Sequence, residues 1–413
     1  MSTTIDCGIA ANLPLHRDPA RRRTLPPMAA FAGTALAYAG FFVAAGAPTP
    51  LLVLFQQEWG FASWVLTIAF AAYAIAYVLT LLVAGSLSDY IGRRPVLIGA
   101  LSVELAAMVL FLFAPNIGWV IVARVVQGIA TGAATSAFSA SLVELAPEKH
   151  KKLGAILGSV SPAGGLGLGA LLTGIAVQFS AAANTIVFAA LVVVMVLGTL
   201  VAVFAAETVT RRAGAARALI PRVAIPQPAR REFAAAVPVQ ISAWMLAALF
   251  MGLAPTIIRT VFQIDSGFVN GATAFVEPGA AAVAALVLGR LTPRRTTLLG
   301  GASVLVGTAI IVAAIAFDLL PLLWIGGIIG GVGFGASFSG AMRSVAPLAQ
   351  AHERAGLFAG VFLVAYLAFG VPAIVAGLVI APLGLVPTVI GYGVVILIAA
   401  VVGLAAQSRI ARA

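Results

Sequence analysis

Charged side chains are scarce in this chain: 9% of its 413 residues, against 62% hydrophobic, with a mean hydropathy of +1.11. Soluble domains carry roughly 25% charged residues. A chain this apolar cannot present a water-facing surface all round, so its surplus must face lipid. Cysteine occurs once, at Cys7, which excludes an intrachain disulfide. Histidine occurs three times (His16, His150 and His352), each time outside the apolar runs. HExxH, CxxC, P-loop and nucleophile-elbow patterns are missing in any fitting context, and the many Gly-x-Gly steps lie inside apolar runs with no following acid. These absences argue against an enzyme, and no metal or cofactor is expected. The formal charge of +11 is spread over small clusters between long apolar stretches, which argues against nucleic acid as a partner.

Spanning hydrocarbon takes about 20 apolar residues as helix, because lipid offers no partner to free backbone groups. Cutting at charges, Gly/Pro turns and polar clusters gives segments at 28–54, 63–84, 95–114, 118–145, 153–178, 183–205, 234–261, 267–288, 296–317, 319–346, 355–380 and 385–406. The basic residues then fall in the two tails and in alternate loops: 2–3, 4–5, 6–7, 8–9 and 10–11. Only Arg124, Arg259 and Arg343 lie within segments. This bias predicts a protein of the inner cell membrane with both termini in the cytoplasm. Residues 1–27 lack the layout of a cleaved signal, since their arginines follow the short apolar run, and are expected to form a flexible cytoplasmic tail.

The longest polar break divides the chain into bundles of six. The expected division is a 28–206 bundle, a 207–233 cytoplasmic linker, a 234–406 bundle and a 407–413 tail. The halves echo each other. Gly128-xxx-Gly132-Ala133-xx-Ser136 recurs as Gly331-xxx-Gly335-Ala336-xx-Ser339, and Gly85-x-Leu87 recurs as Gly289-x-Leu291. Matches at nearly one shift and in one orientation indicate a parallel duplication, with a substrate site between the halves near mid-membrane.

The sharpest motif is Gly85-Ser-Leu87-Ser-Asp89-Tyr-Ile-Gly92-Arg93-Arg94 in the 2–3 loop. It resembles the loop signature of the major facilitator superfamily. Arg124-Val-Val-Gln127-Gly128 resembles that family's second motif, and Ser161-Pro162-Ala-Gly164-Gly165 resembles the antiporter motif of its drug exporters. The last departs from the pattern, with Ser161 in place of a glycine and one residue, not two, between Pro162 and the glycine pair. The resemblance implies an all-α membrane fold of 12 transmembrane helices in two pseudo-symmetric six-helix bundles. It also implies that Asp89, Arg93 and Glu144 latch the cytoplasmic gate, with Gly85, Gly92 and Arg94 shaping the loop. The copy in the 8–9 loop has Pro293 and no acid, so the latch is expected on one side only.

Intramembrane ionisable groups are costly and usually serve a function or pair with one another. Antiparallel geometry places Glu104 within about a turn of Arg124, so that the two can pair; the alternative is a Glu104 bonded to a neighbouring hydroxyl. Glu104 and Glu277 are the only acids well inside the membrane, and proton exchange requires a carboxyl held out of water. Arg259 and Arg343 suit an anion. Tyr38, Phe41, Phe42, Trp244 and Tyr366 are candidate cavity-lining rings. The expected activity is proton-coupled efflux of a small amphipathic molecule by a monomer in the bilayer. The rival is a proton symporter importing an organic anion or sugar, and a third reading is a non-transporting sensor or enzyme. The third leaves the repeat and the loop motif unexplained.

Overall fold

The computed structural model describes residues 24–221, 223–350 and 353–410. The expected tail 1–27 lies mostly outside them, as do the last residues of the expected 407–413 tail. Twelve helices among the described residues are long and apolar enough to cross a membrane. They are α1 (Pro27–Trp59), α2 (Ser63–Ala84), α3 (Arg93–Leu112), α4 (Ile117–Leu145), α5 (Glu148–Phe179), α6 (Ala183–Phe204), α7 (Gln227–Thr260), α8 (Gly267–Arg290), α9 (Pro293–Ala316), α10 (Leu320–Leu348), α11 (Gly356–Leu383) and α12 (Leu385–Arg409). Their order and number agree with the runs read from the sequence. The start of α7 moves furthest, to Gln227, and α1 runs on to Trp59 through Gln56, Gln57 and Glu58. These polar residues read as an exit from the membrane, but the helix continues past it.

Two helices carry local irregularities with identifiable causes. In α1 the regular helix ends at Gly46 and restarts at Pro48. Pro48 has no N–H to offer the carbonyl of Ala44, and Pro50 none for Gly46. In α7 one turn, Leu249–Leu253, widens to a π-helix just before Pro255, a feature that often marks functional sites. Two helix starts are closed by side chains. Asn116 Oδ1 accepts from the N–H groups of Gly118 and Trp119 at the start of α4, and Ser266 Oγ accepts from Val269 at the start of α8.

The helices form two six-helix bundles, each with its own core. Tyr38, Phe41, Leu101, Met108, Phe111, Phe138, Phe188 and Met195 fill the first. Leu246, Leu249, Phe250, Ile257, Val304, Ile311 and Ile396 fill the second. The face carrying the 2–3 loop and the arginine-rich linker is the basic face; the opposite one is the far face. Three side-chain hydrogen bonds join the bundles at the far face. Gln57 donates to Asp265, Ser266 donates to Gln178 at 2.8 Å, and the Phe268 N–H donates to the same Gln178 oxygen. Deeper contacts continue as Phe70 against Phe369 and Tyr77 stacked on Tyr366 at 4.3 Å.

Candidate functional site

The first site is a buried polar cluster where α1, α2, α3 and α4 meet. Gln127 Nε2 donates to Ala44 O, the carbonyl that Pro48 leaves without a helical partner, at 3.0 Å. The same nitrogen donates to Glu104 Oε1 at 3.0 Å. Arg124 Nη1 donates to Gln127 Oε1 at 2.7 Å and to Ala45 O at 3.1 Å, while its Nε donates to Ala69 O. Its guanidinium lies 4.4 Å from the centre of the Tyr73 ring. Arg124 and Glu104 are therefore neighbours joined through the Gln127 amide rather than by an ion pair. The proline break explains the arrangement: a freed carbonyl in lipid needs a donor, and this helix face supplies an amide and a guanidinium.

The second site is the 2–3 loop. Residues 88–91 form a single helical turn, and Gly92 then reverses the chain at φ +103°. Arg93 pairs with Asp89 at 2.5 Å and with Glu144 at 3.2 Å. Asp89 is 57% exposed and makes this pair inside its own bundle. Glu207, which marked only the start of the linker in the sequence, is part of this site. Its carboxylate accepts from the Arg93 and Arg94 N–H groups at 2.9 and 3.1 Å, capping α3 from a distant segment. The φ of +103° favours glycine at residue 92, and a Cβ there would push the Glu207 carboxylate aside. Thr208 donates to Glu144, and the Arg212 N–H donates to Tyr90 O at 2.9 Å. Glu207→Ala is expected to cost about 1 kcal/mol, as a lost cap does. A fall in the thermal midpoint of the purified protein, with Glu207→Gln intermediate, checks it.

Helix α5 presents glycine on two faces. Gly165 and Gly169 lie backbone-to-backbone against Phe42, Ala39 and Val43 of α1. On the other face Gly167 meets Phe275 and Pro278, Gly164 approaches Ala282 and Gly174 meets Gly267 and Gly271, all of α8 in the other bundle. Small residues permit such close helix approach in lipid. Pro162 sits within the helix just before this run.

The third site lies between the bundles. Trp244 of α7 touches Phe334 and Phe338 of α10 and Tyr366 and Phe369 of α11, with ring centres 5.0–5.9 Å apart. Tyr366 in turn stacks on Tyr77 of α2, whose hydroxyl meets Thr135 of α4. Tyr38, Phe41 and Phe42 instead pack within the first bundle against one another and Phe138, with the Tyr38 hydroxyl on Ser139 at 3.1 Å. Phe334 and Phe338 were not singled out in the sequence, where a phenylalanine facing a cleft looks like one facing lipid. Glu277 of α8 is 1% exposed, and its Oε1 has no hydrogen-bond partner among the described residues. Trp244 Nε1 is likewise buried and unpartnered.

The remaining arginines are placed differently from one another. Arg343 donates to the carbonyls of Gly289 and Leu291, closing the 8–9 loop. Arg259 sits half-buried in the last turn of α7 at the far face. Among the described residues no group of three or more His, Cys, Asp or Glu is placed to hold a metal ion.

Twelve spanning helices in two like bundles, tied at one face and carrying an arginine–acid loop at the other, define an integral multi-pass membrane transporter. The model of the Major Facilitator Superfamily matches residues 30–320, and the chain belongs to that superfamily. No curated protein matches the chain in sequence. Several solved structures share its fold. The human organic anion transporter MFSD10 (TETRAN) is 16% identical over 92% of this chain and 100% of its own, with a TM-score of 0.66. A POT family transporter in complex with a thioalcohol-conjugated peptide is 12% identical over 93% and 96%, with a TM-score of 0.73. A bacterial homolog of the human lysosomal transporter Spinster, inward-facing and unoccupied, is 15% identical over 92% and 97%, with a TM-score of 0.71.

Proposed function

We propose that this protein is a proton-coupled secondary transporter of the inner membrane that expels a small amphipathic molecule by alternating access, as a monomer with both termini in the cytoplasm. The observation that carries the coupling is Glu277: a carboxyl enclosed at mid-helix with an oxygen that no described residue satisfies. An ionised carboxylate in such a place is costly, whereas a protonated one is tolerated, so proton binding shifts the balance between conformations that expose and enclose it. Glu104 also has one unpartnered oxygen, Oε2, but it is less suited, because Gln127 holds its Oε1 beside Arg124.

The basic face is read as cytoplasmic from the arginine bias. On that reading the far-face ties describe an inward-facing molecule, with its outer gate shut by α2 against α11 and α5 against α8. At the inner side the Asp89–Arg93–Glu144 trio is paired within its own bundle. Efflux is favoured by the α5 run Pro162-Ala-Gly164-Gly165. The importer reading is not supported at Arg343, whose donors are committed to loop carbonyls, nor at Arg259, which lies at the far face.

Spin labels at Lys152→Cys and Arg290→Cys in a Cys7→Ser background report the width of the inner mouth without knowledge of the substrate. The wild-type distance distribution is expected to change between mildly acidic and mildly alkaline solution. Glu277→Gln, which mimics the protonated carboxyl, should hold the acidic distribution at both. A full pH response in Glu277→Gln would overturn the coupling role. Direction is read from energised inside-out vesicles, which an exporter loads and an importer does not.

A further inference from the structure

The charge balance of the interior and the rings beside it narrow the substrate class. Among the described residues, three acidic or basic side chains lie deep inside the helices: Glu104, Arg124 and Glu277. The first two are joined through Gln127, which leaves Glu277 without a compensating charge. The elements packed on α8 offer none at its level. Between Lys152 and Phe179, α5 has no charged residue, and α10 has only Arg343, already held by Gly289 and Leu291. On α7, Arg230, Arg231 and Glu232 stand at the basic end and Arg259 at the far end, and Glu58 of α1 is also at the far face.

Glu277 is close to the ring layer. Its backbone carbonyl abuts Gly331 of α10, and Phe334 follows Gly331 by about one turn toward the basic face. Ala274, a turn before Glu277, packs in one apolar cluster with Trp244 and Phe369. The layer of Trp244, Phe334, Phe338 and Tyr366, extended by Phe362 beside Phe338 and Tyr366, presents aromatic faces, whose negative quadrupole attracts cations strongly once water is excluded. An anion would find Arg124 bound to Ala45 O, Ala69 O and Gln127. A sugar would find few polar groups for its hydroxyls among these rings.

We propose that the transported molecule is an organic monocation with an aromatic or bulky apolar body, seated on the Trp244–Phe334–Phe338–Phe362–Tyr366 layer with Glu277 as its counter-charge. This rests on the transporter reading above. Substrate and proton then share one carboxylate, so that loading the cation expels the proton.

Tetraphenylphosphonium and tetraphenylborate, alike in shape and opposite in charge, test this on the detergent-solubilised protein by titration calorimetry in weak buffer. The phosphonium should bind, more tightly in alkaline solution, with protons released; the borate should not. Trp244→Leu should weaken phosphonium binding roughly tenfold or more, the scale of a desolvated cation–π contact. Glu277→Gln should weaken it, abolish proton release and flatten the pH dependence. Borate binding as tight as phosphonium overturns the proposal, as does phosphonium binding that both variants leave unchanged. Proton release by the wild type decides the matter should Glu277→Gln fail to fold. If the phosphonium fails to bind while the spin-label response to pH persists and is lost in Glu277→Gln, the cation proposal falls and the proton coupling stands.

Discussion

Replacing Gly174 by leucine is expected to stop the far face from closing and so to arrest transport in a protein that still folds. A Cβ at Gly174 would lie 2.5 Å from Gly267 O and 2.6 Å from Gly271 Cα. Both obstacles belong to backbone, which cannot swing aside as a side chain tip can. Overpacking of this kind costs about 1–3 kcal/mol, which shifts a two-state balance by about 5–150-fold. The contact lies between bundles, so the penalty falls on one conformation and leaves the fold of each bundle intact. The Lys152–Arg290 label distance should shorten as the inner mouth closes in compensation, with the thermal midpoint near that of wild type. Gly99→Leu, at a position where an added Cβ meets nothing within 4 Å, is the control and should behave as wild type. An unchanged label distance in Gly174→Leu would remove the α5–α8 contact from the gating mechanism.

Arg124→Met is expected to be the most destabilising single change. It strips donors from Ala45 O, Ala69 O and Gln127 Oε1 and leaves Glu104 without a nearby positive charge. Breaking a buried charged arrangement by removing one partner costs about 3–5 kcal/mol, because the other remains enclosed and uncompensated. A steep fall in thermal midpoint and in folded yield checks this. Adding Glu104→Gln should recover part of the loss, since it removes the stranded charge. No recovery in the double variant would mean that the carbonyl contacts, rather than charge balance, dominate.

How much was legible in the sequence depended on which physical constraint was strict. Lipid tolerates almost no unpaired backbone, so long apolar runs had to be helices and their number was readable. The arginine-bearing loops and the repeat of Gly128 at Gly331 separated the two bundles for the same reason. Contacts decided by side-chain direction were less accessible. Antiparallel geometry brought Glu104 level with Arg124, but nothing in the spacing told that Gln127 would stand between them to reach the Ala44 carbonyl. Glu207 is 114 residues from the helix start that it caps, and an acid at the end of an apolar run reads as a border. Trp244 was found among the candidate rings, while its neighbours Phe334 and Phe338 were not. Tyr38, Phe41 and Phe42 share their composition but turn into the first bundle's core.

The linker is fastened twice, once by the Arg212 N–H on Tyr90 and again by the Ala224 N–H on Gly356 at the head of α11. The stretch between these anchors reaches roughly 40 Å when fully drawn out. It is therefore a tether with a stop, and the two halves cannot swing apart beyond that chord while both knots hold.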